Sequence, residues 1–142
     1  MGFRLTVKGK DTIYLGENII RLVNVQLSTP TDSKAKSTDV AATMWVTGKL
    51  LHTEGPSNSD TLKLFEWAQV PAQSSEAYSD VIVEVVSSDK IFRKVYFPNA
   101  FVVDYSERYN DTAGVGEFSM TLRQKADRLL QVKAEGGLSL GV

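Results

Sequence analysis

Cysteine is absent from the 142-residue chain. That removes disulfide scaffolds, thiolate zinc sites, iron–sulfur clusters and cysteine nucleophiles, and leaves any metal site to be built from carboxylates. Histidine is almost absent: His52 stands alone, and without a G-x-S-x-G elbow to serve it a hydrolytic triad is not expected. His52 reads instead as a polar residue where a strand leaves its sheet. A surplus of either charge is also lacking, with 16 Lys+Arg against 17 Asp+Glu and a net charge of -1. Binding to a phosphate backbone needs a basic excess, so nucleic acid is not an expected partner. No apolar run approaches the roughly 18 residues that span a bilayer, and the first residues, MGFRLTVKGKDTIYLG, alternate where a cleaved leader would be continuously apolar. The expectation is therefore no membrane insertion, with any export proceeding without a cleaved signal peptide.

What the chain does have is period-two alternation, the pattern of half-buried strands. With 42% hydrophobic residues it is long enough for one core, and residues 1–142 read as a single domain, 128–142 forming a loosely packed C-terminal extension or a last edge strand. FRLTVKG places Phe3, Leu5 and Val7 on one face. TIYLGENIIRLVNVQL reads as a strand pair or one long bent strand interrupted at Gly16, with Ile20, Leu22 or Val23, Val25 and Leu27 as its apolar positions. Residues 28–42, STPTDSKAKSTDVAA, are polar and without period, a length at which loops are usually functional or disordered. TMWVTGKLLH resumes strand character, with Met44, Val46 and Leu50 inward and Trp45 on the opposite face. TLKLFEWAQ reads as one short helix, with a strand as the rival reading: Ser59 or Asp60 is its cap, Leu64, Trp67 and Ala68 lie on one face, Leu62 and Phe65 beside them, and Pro71 is the stop. DVIVEVVSS and KIFRKVYF form a hairpin around residues 87–90, and AFVVDYSERY and GEFSMTLRQK a second through NDTAGVG. One helix among seven or eight strands makes the fold class mostly β.

Residue patterns that could carry chemistry are weak. The carboxylates Asp104 and Glu107 stand at odd spacing and fall on opposite faces of a strand, whereas Asp80 and Glu84, at even spacing, share a face. Acid–base catalysis needs carboxylates that converge with separated pKa values. The GVG of DTAGVGEF precedes an alternating strand where a dinucleotide fingerprint requires a helix. Tyr96, Phe97, Phe101, Tyr105 and Tyr109 have the spacing of strand faces and no basic groove beside them, so they read as core or interface packing residues. Neighbours in sequence, Glu107 and Arg108 point to opposite faces and need partners on another strand or another subunit. No catalytic residue, cofactor or metal site is expected, and the chain does not read as an enzyme.

The order of elements, together with LFEWAQVP (an L-x-E-W pattern at Leu64 to Trp67), FPNAFVVDYSERYND (Phe97, Ala100, Val103, Tyr105 and Glu107 in an F-x-x-A-x-x-V-x-Y-x-E pattern) and EFSMTLRQK, resembles the divergent branch of the Hcp family of type VI secretion tube proteins. The resemblance spans residues 3 to 125. It implies a compact antiparallel β-barrel of two packed sheets flanked by one short α-helix, shared with contractile phage tail-tube proteins, with Phe97, Phe101, Val103 and Tyr105 packing its wall, and a structural role without catalysis. It implies hexameric, self-assembling rings that stack into a tube, with strands of adjacent subunits joined in a continuous inner sheet. It places the loop 28–42 against a neighbour, making Thr31, Asp32, Ser33, Lys34, Lys36 and Asp39 interface residues, joined by Asp104 and Arg108 on the polar strand face. Sheath, baseplate and effector proteins are the further partners it implies. Its implied location is the cytoplasm during assembly, followed by export within an injection apparatus or particle. The alternative is a monomeric or dimeric adaptor, or a prophage-encoded binding module, that reuses the same fold.

Overall fold

The structure, a computed structural model, describes residues 1–29, 41–51, 55–111, 115–124 and 133–136. Alternating segments become strands β1 (Gly2–Lys8), β2 (Thr12–Leu15), β3 (Ile20–Ser28) and β4 (Ala41–Leu50). After helix α1 (Pro56–Ala68) and a 3-10 turn at Ser75–Ala77 come β5 (Ser79–Ser87), β6 (Lys90–Asn110), β7 (Val115–Gln124) and β8 (Lys133–Gly136). The described pairings are all antiparallel, and four of the seven join strands consecutive in sequence. They run β2-β1-β5-β6-β7-β4-β3, with β8 added beside β6. The Hcp-like expectation of two packed sheets resolves into one continuous sheet folded on itself. β3 approaches β1, but no ladder joins the two ends of the sheet among the described residues.

The fold line lies in β6. Two expected strands are here a single one of 21 residues, bent where Pro98 has no N–H for a ladder and Asn99 turns left-handed at φ 53°. The bend leaves few polar groups unpaired. The Asn99 N–H donates to Asp80 Oδ1 at 3.0 Å, and the Pro98 carbonyl accepts from Gln124 Nε2 at 3.1 Å. Before the bend β6 lies between β5 and β8; after it β6 pairs with β7. A bulge at Val103, between the pairs Val102↔Leu122 and Asp104↔Thr121, shifts the alternation once more. The expected wall is corrected accordingly. Phe97 and Ala100 are buried and Val102 and Tyr105 pack on the core, whereas Val103 is exposed and Phe101 meets Tyr78 edge-on at 5.9 Å.

Leu5 and Val7 of β1, Met44 and Val46 of β4, Val81 and Val83 of β5 and Phe118, Met120 and Leu122 of β7 fill the space between the sheet halves. Trp45 lies on the other face of β4, as its position in the alternation requires. Helix α1 closes the core with Leu64 and Trp67, and the buried indole N–H donates to the Ala77 carbonyl at 3.0 Å, pinning the 3-10 turn. The helix starts a turn earlier than expected, with Pro56 in its first turn and Gly55 as N-cap without a side-chain cap. Neither Ser59 nor Asp60 caps it.

A bulge between Ile20 and Leu22 settles the facing of β3: Val23, Val25 and Leu27 take the core side, opposite Val46, Met44 and Ala42. They line a groove with Val83, Val85 and Val95 that stays open, so Leu27 is 61% exposed.

Candidate functional site

Strands β3, β4, β7 and the second half of β6 make a four-stranded half-sheet whose outer face is polar. Rows fixed by the register are Arg108–Glu117–Lys49, Ser106–Ser119–Thr47 and Asp104–Thr121–Trp45–Asn24. Arg21 Nη1 meets Glu117 Oε1 at 3.3 Å, a solvent-exposed pair of small energetic weight. Asp104 and Arg108 are exposed on this face, where alternation puts them, and neither forms an ion pair among the described residues. The other expected interface residues, Thr31, Asp32, Ser33, Lys34, Lys36 and Asp39, lie outside the described residues, as does His52.

Both long edges of this half-sheet are open among the described residues. β3 ends the strand order, and beyond Ala100 the side of β6 away from β7 has no strand partner, because β5 stops at the Ser79↔Ala100 pair. Edge β3 is weakly protected: Arg21 and the bulge beside it stand at its start, but the rest of IRLVNVQLS carries no charge and no Pro, and Leu22 is 53% exposed. Neither open edge was legible as such in the sequence, since alternation reveals which face a residue takes and not which strand lies beside it.

On the core side of the β6 edge, Glu107 is held by its own strand. Tyr105 donates its hydroxyl to Glu107 Oε2 at 2.6 Å and Tyr109 donates to Oε1, the three side chains sharing a face at i−2, i and i+2. This corrects the expectation that Glu107 needs a partner on another strand or subunit. Burial, then the bond to Glu107, holds the Tyr105 hydroxyl far above its ordinary range, and the Glu107 bond raises that of exposed Tyr109. Tyr105 also stacks on Phe118 at 6.2 Å and takes Phe65 of α1 edge-on at 5.8 Å.

The carboxylate pair expected on one face, Asp80 and Glu84, does not converge: four strand residues separate them by about 13 Å. Asp80 is occupied by Asn99, and Glu84 sits in register between Arg4 and Lys94. No group of three or more metal-ligating side chains is gathered among the described residues.

No protein-family model matches the chain, and no curated protein matches it in sequence. Solved structures do share its fold. Hcp1 from Flavobacterium johnsoniae superposes with a TM-score of 0.62 at 18% identity, covering 96% of this chain and 97% of that one. A chain of the sheath–tube complex of an extracellular contractile injection system, PVC, in its extended state, gives 0.61 at 12% identity over 96% of this chain and 89% of that one. Hcp1 from E. coli EAEC 042 gives 0.58 at 10% identity over 96% and 99%. The chain thus has the Hcp-like tube-protein fold: mostly β, antiparallel, with one helix.

Proposed function

We propose that this chain is a structural subunit of the tube of a contractile injection system or phage-tail-like particle, assembling with copies of itself, six to a ring, and carrying out no chemistry. The observation that carries this reading is the pair of open edges on one four-stranded half-sheet. Strand directions alternate along β6, β7, β4 and β3. With an even number of alternating strands, rotation about a ring axis sets β3 of one copy antiparallel to β6 of the next, so the junction repeats the pairing found inside each copy. The four-stranded half-sheets of successive copies then join into one continuous barrel around the ring axis, and the open edge of β3 stops being an aggregation hazard. Likeness to tube proteins over nearly the whole chain supports the same reading.

In such a ring the loop 28–42 reaches a neighbouring copy through Thr31, Asp32, Ser33, Lys34, Lys36 and Asp39, while Asp104 and Arg108 lie at the β6 junction. A sheath is a natural outer partner, since one structural neighbour is a sheath–tube complex. Assembly takes place in the cytoplasm, and the subunit leaves with the particle. No described helix is long and apolar enough to cross a membrane. Light scattering and negative-stain imaging of the purified chain test the reading: rings or short tubes are expected. A particle that stays at the 15.7 kDa of one chain at high concentration overturns it in favour of a monomeric accessory or adaptor.

A further inference from the structure

We infer that the helix face Phe65–Ala68–Gln69, overhanging the open edge of β6, is the receiving surface for β3 of a second copy, and that Val25 and Leu27 of that copy dock beneath it. The inference rests on the ring reading and adds which side chains make the contact and in what sense it runs. Val25 and Leu27 stand opposite buried Met44 and Ala42, so they lie on the core side of the sheet. Val102 and Tyr105 stand opposite buried Leu122 and Met120 and lie on that same side. Joining the β3 edge to the β6 edge therefore brings these two apolar sets together on one face. Helix α1 packs over this part of β6 and leaves a groove of about 260 Å³ at the edge, lined by Phe65, Ala68, Gln69, Val102, Val103 and Tyr105.

Both surfaces are apolar and exposed: Leu27 at 61%, Phe65 at 40%. Val25, Leu27 and the groove lining carry no ionised side chain, since Asn24 and Gln26 point to the other face of β3, and the carboxylate on this edge, Glu107, is already held by the Tyr105 and Tyr109 hydroxyls. A nine-residue edge is about 30 Å long, and with the helix face beside it reaches the order of the ~800 Å² per partner that specific interfaces bury. The two surfaces differ in shape and sequence, so the contact is head-to-tail, which generates a ring or a filament and not a closed pair.

Head-to-tail contact has a signature in mixtures. Leu27→Lys removes the inserting surface and Ala68→Glu fills the receiving groove, with Phe65→Glu as a second variant on the same surface. Circular dichroism checks that each keeps the fold. Each variant alone is expected to lose assembly, its apparent dissociation constant rising at least tenfold. An equimolar mixture of Leu27→Lys with Ala68→Glu retains one intact junction and should give a two-chain particle, twice the 15.7 kDa of one chain, and nothing larger. A folded Ala68→Glu or Phe65→Glu chain that assembles like the parent overturns the inference while leaving the ring reading in place. A mixture that stays monomeric, or pairs only within one variant, overturns it too. A parent chain that never assembles overturns both.

Discussion

Asp60, one turn into α1, accepts the backbone N–H of Tyr14 through Oδ2 at 3.0 Å. The helix thus covers the edge of β2, while β3 at the other end of the sheet has no strand partner beyond β4 among the described residues. Asp60→Ala should cost about 1–2 kcal/mol, the value of a hydrogen bond to a charged acceptor at a site that water can re-enter. Asp60→Asn, which keeps an acceptor oxygen, should recover most of it. Urea unfolding reads both through the midpoint at unchanged slope, and an Asp60→Ala midpoint equal to the parent's would refute the cap.

Gly48 allows β4 to pass close to the core. A Cβ at this position would meet Phe118 Cε1 at 2.6 Å and Cζ at 2.8 Å, and the Ile19 carbonyl oxygen at 2.9 Å. That carbonyl already accepts the Lys49 N–H at 2.9 Å, so it has little freedom to retreat. Gly48→Ala should therefore destabilise by about 2–3 kcal/mol as overpacking. Combined with Phe118→Leu, the cost should be less than the sum of the two single changes, because one of the clashes is then relieved. Strict additivity in denaturant midpoints would count against this contact.

Alternation exposed most of the strands, because half-buried strands write their faces into sequence: Leu5 and Val7, Met44 and Val46, Val81 and Val83 all lie inside. It failed where the backbone departs from period two. The bulge at Val103 exchanged Val102 for Val103 on the wall, and the bend at Pro98–Asn99 fused two strands that a proline had divided in the reading. The helix appeared through Leu64 and Trp67, but its start did not, since Pro56 with a Gly55 cap is a weaker signal than Ser59 or Asp60. The polar placement of Asp104 and Arg108 was legible from spacing alone. The open edges of β3 and β6, and the grip of two tyrosines on Glu107, depend on which strands end early and which side chains tilt together, and neither is encoded in a local pattern.

The β5–β6 hairpin turns through Ser88 and Asp89, whose φ angles of 51° and 63° give the two-residue turn that suits strand twist but taxes ordinary residues. Replacing the pair with Asn-Gly should stabilise by about 1 kcal/mol and raise Tm by roughly 2–4 °C. Calorimetry showing an unchanged or lower Tm would mean that Ser88 and Asp89 already meet the turn at no strain.

The tyrosine grip on Glu107 makes stability sensitive to alkali. A hydroxyl whose pKa is higher in the folded than in the unfolded chain binds its proton more tightly in the fold, so its contribution is complete below the ordinary value of 10.0 and declines as pH climbs past it. Tyr105 should stay protonated until the fold is lost, and Tyr109 should ionise above its ordinary value. Glu107→Gln puts an NH2 group, which can only donate, where one of the two acceptor oxygens stands, so only one of the two hydroxyls can go on donating in its present place. Exposed Tyr109 is the one expected to be released, its pKa falling toward 10.0 while Tyr105, raised first by burial, changes less. Ring-carbon NMR of labelled tyrosines across an alkaline titration separates the two groups. If Glu107→Gln left the Tyr109 titration where it was, the hydrogen bond would have no part in raising it, and the loss of stability above pH 10 would have to come from elsewhere in the chain.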